Sequence, residues 1–284
     1  MKDYQHMLFP YAYNILGTAE DAKDAIQDVL YNFLAAGKED LEDPKNYLIR
    51  SVINQSINIK NKRKKLQLGD MWLPEPVATE GADTNINLSE IVSYSLLILL
   101  EQLNAKERAV FILKEAFAYA HEEIADTLAI SVEHSRKLLS RAKQKIDKVH
   151  APVAAPKNEG ITPAILEKFM HAIRSRDTKA LESFLAEDIA FYADGGTTLK
   201  VFAKHCTGIQ EVADLLIFVF HKYDTGLSVT IGEINHQPAL LFYDGNELKI
   251  CQVFGIEPER NKIFQISNVL DPEKLKLISP GGLE

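Results

Sequence analysis

Cysteine is nearly missing from this chain. There are two, Cys206 and Cys251, and neither has the C-x-x-C spacing of a metal or redox pair. That scarcity excludes a disulfide-built scaffold and a cysteine zinc module, and both thiols are expected to be reduced and buried. Long apolar runs are missing too. The longest candidates, Leu96–Leu100 and Leu215–Phe220, fall far short of the ~20 residues that cross a bilayer. The N-terminus, Met1-Lys2-Asp3-Tyr4, lacks the basic start and apolar core of a signal peptide. Repeats and low-complexity tracts are absent. The expectation is a cytoplasmic protein without a membrane partner. Positive charge is also in deficit, with 32 Lys and Arg against 40 Asp and Glu and a net charge of −8. By its sum alone, that balance does not suit a nucleic-acid binder.

The distribution of charge reverses this impression. Met1 to Ile59 holds five bases and nine acids, and then Lys60, Lys62, Arg63, Lys64 and Lys65 fall within six residues. A second basic stretch carries Arg136, Lys137, Arg141, Lys143, Lys145 and Lys148 against the single acid Asp147. Two separated basic patches in an acidic chain are a pattern that requires a reason.

At 284 residues the chain fits two domains or three small ones. Thr18-Ala19-Glu20-Asp21 reads as a capping box, in which Thr18 and Asp21 serve first-turn amides. The apolar spacing of Ala22, Ile26, Val29, Leu30, Phe33 and Leu34 predicts an amphipathic helix after it. Asp43-Pro44 starts another helix, with Tyr47, Leu48, Val52, Ile53 and Ile57 facing inward. Residues 66–88 hold Trp72-Leu73-Pro74-Glu75-Pro76 and show no periodicity, so they read as an extended linker in which the lone tryptophan docks on something. Asn104 caps a further helix, and 150–161 is a second linker. From Thr162 the pattern becomes α+β. Helices are expected at 162–176, 179–185 and 209–222. Strands are expected at 189–193, 227–234, 238–243, 247–256 and 262–270, the last four forming an antiparallel meander with a turn at Asp244-Gly245-Asn246.

The segment His121–Lys148 is the most informative. Glu122 to Leu128 fits a short helix, Ala129-Ile130-Ser131 a tight turn, and Val132 onward a second helix with Ser131 as N-cap. Ile124, Ala125, Leu128, Ile130, Val132, Leu138 and Leu139 would pack the pair together. Glu133, His134, Arg136, Lys137, Ser140, Arg141 and Lys143 are left outward. That is what a recognition helix needs, and it also describes a helical hairpin with a solvated basic face.

Leu103 to Phe111, Ile124-Ala125 and Ser135 to Lys143 together resemble the σ4 domain of extracytoplasmic-function (ECF) sigma factors. Asp21 to Val29, and Asn46 to Arg63, resemble their σ2 domain. Trp72-Leu73-Pro74-Glu75-Pro76, Asp194-Gly195-Gly196 and Asp271-Pro272-Glu273-Lys274-Leu275 resemble motifs of an ECF subgroup that carries a SnoaL-like C-terminal extension. Thr197-Thr198 departs from that subgroup, which has a further Gly and a Lys there. The resemblance covers nearly the whole chain. It implies a multidomain protein: two all-α sigma domains at 1–66 and 89–150, linkers at 67–88 and 151–161, and an α+β NTF2-like cone at 162–284.

The resemblance also implies roles. A sigma factor directs core RNA polymerase to promoters for transcription initiation, and does no covalent chemistry. Asp21, Asp24, Gln27 and Asp28 would dock on polymerase, through its β′ clamp and, for σ4, the β flap. Asn54, Gln55, Asn58, Lys60, Lys62, Arg63 and Lys64 would bind the −10 promoter DNA. His134, Arg136, Lys137, Ser140, Arg141 and Lys143 would bind the −35 element. Trp72, Leu73, Pro74, Glu75, Pro76, Asp194, Gly195, Gly196, Asp271, Pro272, Lys274 and Leu275 would carry regulation in cis. No catalytic residue, metal or cofactor is expected. A small ligand in the cone and a cone dimer stay open. Two alternatives remain. One is a helix-turn-helix regulator with a ligand-sensing C-terminal domain. The other is a SnoaL-like enzyme using His171, Tyr192, Asp194, His205 or His236.

Overall fold

A computed structural model describes residues 2–38, 41–64, 72–79, 88–147, 163–197, 199–201, 205–257, 259–276 and 278. Lys65, Lys148, Thr198 and the linker at 151–161 lie outside them, as does most of 66–88. The chain divides into two compact units. One comprises Met1–Asp70, Ala82–Val92 and Leu96–Val153. The other comprises Met71–Gly81, Ser93–Ser95 and Ala154–Glu284.

The first unit is all helical. It contains α1 (Lys2–Leu16), α2 (Ala19–Ala35), α3 (Pro44–Lys64), α4 (Tyr94–Leu100, whose first residues belong to the other unit), α5 (Ala105–Glu115), α6 (His121–Leu128) and α7 (Val132–Asp147). The apolar stripe on α2 buries Ala22, Ala25, Ile26, Val29, Leu30 and Phe33. It meets Leu8, Ala12 and Ile15 of α1 and Leu48, Val52 and Ile53 of α3, all fully buried. Leu34, expected on that stripe, is instead exposed. The Thr18 cap also differs from expectation. Its hydroxyl donates to the Asp21 carboxylate at 2.7 Å, and no side chain caps the helix start. Asp43 does accept from Asn46 N–H at 3.0 Å. Asn104 and Glu107 form a reciprocal capping box at α5.

The second unit folds helices α8 (Pro163–Arg174), α9 (Thr178–Glu182) and α10 (Ile209–Val219) against one six-stranded sheet. The strands are β1 (Leu185–Asp194), β2 (His205–Thr207), β3 (Ser228–Ile234), β4 (Gln237–Asp244), β5 (Glu247–Glu257) and β6 (Lys262–Val269), in the order β2-β1-β6-β5-β4-β3. The meander β3 to β6 is antiparallel, as the alternation predicts. Strand β1 then inserts parallel to β6, which no local pattern signals. Breaks in register within β1–β6, β4–β5 and β5–β6 curve the sheet. The concave side closes over Leu166, Phe169 and Ile173 of α8 and Val212 and Leu216 of α10. Phe169 meets Phe254 edge to face at 5.2 Å. The expected helix at 209–222 is α-helical only to Val219 and then widens into a π-helical turn, Phe220–Asp224. A short last helix, α11 (Pro272–Leu275), follows β6. Among the described residues no helix is long and apolar enough to cross a membrane.

Candidate nucleic-acid interface

Helices α6 and α7 form the expected helix-turn-helix. Ile124, Ala125 and Leu128 are buried with Leu138, Ala142 and Ile146. Ser131 caps α7, accepting from His134 N–H at 3.1 Å. The turn requires a left-handed residue, and Ala129 takes it at φ 50°, ψ 51° without glycine's freedom. Across the turn, the His121 ring nitrogen Nδ1 and the Ser135 hydroxyl lie 2.9 Å apart and tie the helices together. Burial and the neighbouring Lys114 and Arg136 charges push the His121 pKa down. His134, Arg136, Lys137, Ser140, Arg141 and Lys143 are all exposed along the outer side of α7. Three of them carry only surface ion pairs: Arg136 to Glu122 at 3.6 Å, Lys137 to Glu133 at 2.5 Å and Lys143 to Glu115 at 2.8 Å. Such pairs are weak and exchange readily for phosphate.

On α3 the expected residues divide. Asn58 and Lys62 are exposed. Asn54 donates to the Thr127 carbonyl at 3.1 Å, and its neighbour Arg50 bonds the Asp126 carboxylate and carbonyl, each at 2.8 Å, so α3 is held on α6. Gln55 reaches Asp28 at 3.3 Å and Arg63 reaches Asp21 at 2.6 Å. Residues expected for DNA and for polymerase thus pair with each other here. Asp24, Gln27 and Asp28 are exposed on α2. The backbone of Lys64 ends α3; its side chain lies outside the described set.

Lys60 is a correction. Composition places it among phosphate-binding bases, but its side chain is 13% exposed and its ammonium lies 3.1 Å from Glu101 and 3.3 Å from the Leu16 carbonyl. Glu101 also takes the guanidinium of Arg108, which is fully buried and bonds the Asn14 carbonyl at 2.8 Å. Nη2 of Arg108 has no hydrogen-bond partner. Two cations therefore share one acid. Burial, and then Arg108, bring the Lys60 pKa down to about 7, against the pull of Glu101.

In the second unit the Trp72 segment is clamped. The buried Asp194 carboxylate accepts from Leu73 N–H at 2.8 Å and from the Lys274 ammonium at 2.6 Å. The same ammonium donates to the Leu73 carbonyl at 2.6 Å and sits 4.5 Å from the Trp72 ring centroid. Burial alone would raise the Asp194 pKa, but Lys274 and the Leu73 and Gly196 amides hold it below the usual carboxylate range. Gly195 and Gly196 belong to this clamp for steric reasons. A Cβ on Gly195 would strike the Leu199 carbonyl, and one on Gly196, at φ 64°, would strike the Asp271 carboxylate. Asp271 caps α11, Pro272 starts it, and Leu275 is buried. Further along, Tyr94 donates to the Pro74 carbonyl at 2.7 Å. Val77 and Asn235 exchange two bonds of 2.9 Å, and Ala78 bridges Ile234 at the edge of β3. Pro74, Glu75 and Pro76 are buried. From Trp72 to Thr79 the expected extended linker is packed along its length, with Trp72 docked as expected.

The residues considered for acid–base work do not converge. His171 is exposed on α8, Tyr192 packs on His205 at 5.0 Å, His236 lies 3.6 Å from Glu233, and Asp194 is taken by the clamp. Sequence reasoning missed three other residues. Asp224, Gln252 and Asn268 line a cavity of the cone and are buried. The π-helical turn that aims Asp224 there has no readable signature. Among the described residues no group of three metal-ligating side chains forms.

A family model, sigma-70 region 4, matches residues 95–146, the segment holding α5, the helix-turn-helix and nearly all of α7. Over 285 residues the chain is 24% identical to the ECF RNA polymerase sigma factor SigJ of Mycobacterium tuberculosis, spanning 95% of this chain and 90% of that one. It is 24% identical over 273 residues to the probable ECF sigma factor SigI of the same organism, spanning 93% and 89%. The fold matches the crystal structure of M. tuberculosis SigJ with a TM-score of 0.78 at 22% identity, covering 98% of each chain. A region 4 match over the helix-turn-helix, relatives similar over nearly its whole length and a shared fold make this chain similar from end to end to extracytoplasmic-function RNA polymerase sigma factors.

Proposed function

We propose that the chain directs core RNA polymerase to promoters, reading −35 DNA with α7 and −10 DNA with α3, and that its C-terminal unit regulates this in cis. The observation that carries the reading is the outer side of α7, where His134, Arg136, Lys137, Ser140, Arg141 and Lys143 are exposed and held only by weak surface pairs. Near the N-terminus of a recognition helix such side chains reach base edges, and the later bases hold phosphates. On α3 the set is Asn54, Gln55, Asn58, Lys62, Arg63 and Lys64. Lys60 is left out, since its side chain turns inward against Glu101 and the Leu16 carbonyl. Asp21, Asp24, Gln27 and Asp28 would meet the β′ clamp and the region 4 domain the β flap. Loading onto a promoter then exchanges the Asn54–Thr127 and Arg50–Asp126 contacts for DNA.

Regulation in cis rests on the clamp. Trp72–Thr79 lies in sequence between α3 and α4, and Asp194 and Lys274 fix it. Releasing it lengthens the free chain between the two DNA-reading elements, which changes their effective concentration at a bipartite promoter. The test is co-purification and in vitro transcription with bacterial core polymerase, using the full chain and its Lys274→Met variant. Polymerase binding with promoter-dependent transcripts is expected from the full chain, and an altered transcript yield from the variant. Failure to bind core polymerase overturns the sigma reading. Equal yields from both proteins overturn the regulatory one alone.

A further inference from the structure

The outer side of α10 carries a groove that neither promoter reading nor the clamp uses. Asp214, Ile217, Phe218, His221 and Lys222 fall at helical spacing along one stripe, away from the buried Val212, Leu215 and Leu216. Arg176 and Thr178, in and after the turn between α8 and α9, complete the lining. The groove holds about 500 Å³, within the roughly 300–1,000 Å³ of sites that take small organic molecules.

Three features of this lining are not demanded by the fold. The first is Arg176, which takes a left-handed φ of 57°. It ends α8 in a Schellman motif: Arg176 N–H donates to the Ile173 carbonyl at 3.1 Å and Asp177 N–H to the Ala172 carbonyl at 2.9 Å. Glycine is the unstrained residue at such a position, yet an exposed arginine stands there. The second is the change from α-helix to a π-helical turn at Phe220–Asp224, which holds His221 and Lys222. Such turns occur mostly at functional sites. The third is charge. Among the described residues, neither the Arg176 guanidinium nor the Lys222 ammonium makes an ion pair, in a chain with more acids than bases. Lys222 stands instead 5.1 Å from the centroid of the Phe218 ring and 5.3 Å from that of Tyr223. Both rings are exposed. His221 is held in place by its Nε2–H, which donates to the Ile173 carbonyl at 3.0 Å.

We infer that this groove binds a small aromatic carboxylate, whose anionic end pairs with Arg176 and Lys222 while its ring lies on Ile217 and Phe218. A guanidinium meets a carboxylate through two parallel hydrogen bonds. The Phe218 ring beside Ile217 supplies an apolar surface suited to a flat body. Asp214 sets the charge of the ligand. One acid against two fixed cations leaves a single positive charge to neutralise, so a doubly charged phosphate ester is disfavoured. The inference stands on the C-terminal unit alone and is independent of promoter reading.

The experiment titrates the full chain with 2-naphthoate and with 2-naphthamide, its uncharged counterpart. It follows the methyl resonances of Ile217 and Thr178, with Ile53 of α3 as the control. Naphthoate is expected to shift the first two saturably and to bind about ten-fold more tightly than the amide, the increment of a charge-assisted pair. Arg176→Gly separates ligand binding from structure. Glycine relieves the left-handed strain, so this variant is expected to melt no lower than the parent and to lose the preference for the acid. Lys222→Met keeps the stem over Phe218, and is expected to weaken naphthoate while leaving the amide unchanged. Equal binding of the two probes overturns the inference. So does the absence of saturable shifts at Ile217 and Thr178, and so does an Arg176→Gly protein that retains the preference.

Discussion

Lys60 and Asp224 show how little a residue's type says about its role. Lys60 falls in the densest basic run of the chain, yet it is buried against Glu101 beside a buried Arg108. Its pKa is lowered by burial to about 7, so the folded state releases this proton before the unfolded state does. The stability that depends on a neutral Lys60 is complete above the unfolded lysine range and is lost as pH falls toward 7. Lys60→Met is therefore expected to flatten the rise in stability between pH 7 and 10, and at pH 7 to be neutral or stabilising. Glu101→Gln leaves the buried Arg108 guanidinium without its acid and is expected to cost about 3–5 kcal/mol. Urea denaturation across pH checks both. Asp224 has the opposite sign. Its pKa is raised by burial to about 6, so its contribution is complete below the unfolded carboxylate range and is lost as pH rises through 6. Asp224→Asn should remove that fall, on the order of 2–3 kcal/mol, as read by thermal melts between pH 4 and 7.

At the scale of elements, the helix-turn-helix was legible because its logic is local. A cap at Ser131, an apolar set at helical spacing and a basic outer side all lie within 28 residues, His121–Lys148. The left-handed φ of 50° at Ala129 was not legible, and Ile130, Val132 and Leu139, expected in the packed set, are only partly buried. Ala129→Gly is expected to stabilise by up to ~1 kcal/mol, measured by chemical denaturation. On DNA the two classes of contact separate. If Arg136 or Arg141 bonds a guanine edge, its replacement by Ala costs about 1–3 kcal/mol and relaxes specificity at one position. Lys143→Ala should weaken all sequences alike and reduce the salt slope by about 1. Binding measured over a salt series distinguishes these outcomes.

At the scale of the molecule, the Trp72 clamp provides its own reporter. Trp72 is the chain's only tryptophan, and Lys274 lies over its ring. Lys274→Met keeps the stem but removes the charge, leaving Asp194 buried without its cation and Leu73 without its ammonium donor. The expected result is a red-shifted tryptophan emission and faster hydrogen exchange at the Leu73 amide. Unchanged emission and exchange would mean that Trp72–Thr79 is held without Lys274 by its other contacts, among them those with Tyr94, Asn235, Glu233 and His236.

The sequence by itself determined the helices of the first unit, the recognition helix and the meander β3 to β6, because periodicity, caps and turn residues act over a few positions. It also marked Trp72, Asp194 and Lys274 as motif residues. Only the tertiary structure decided that these three meet, since they lie up to 202 positions apart and join through β1 running parallel to β6, a long-range pairing without a local code. It alone decided which charges face solvent. Lys60 and Lys62 are neighbours in composition, but α3 turns one toward Glu101 and the other outward. The polar end of the cone was likewise closed to sequence reasoning, because Asp224, Gln252 and Asn268 converge from a helical turn and two strands only once the sheet has curved around them.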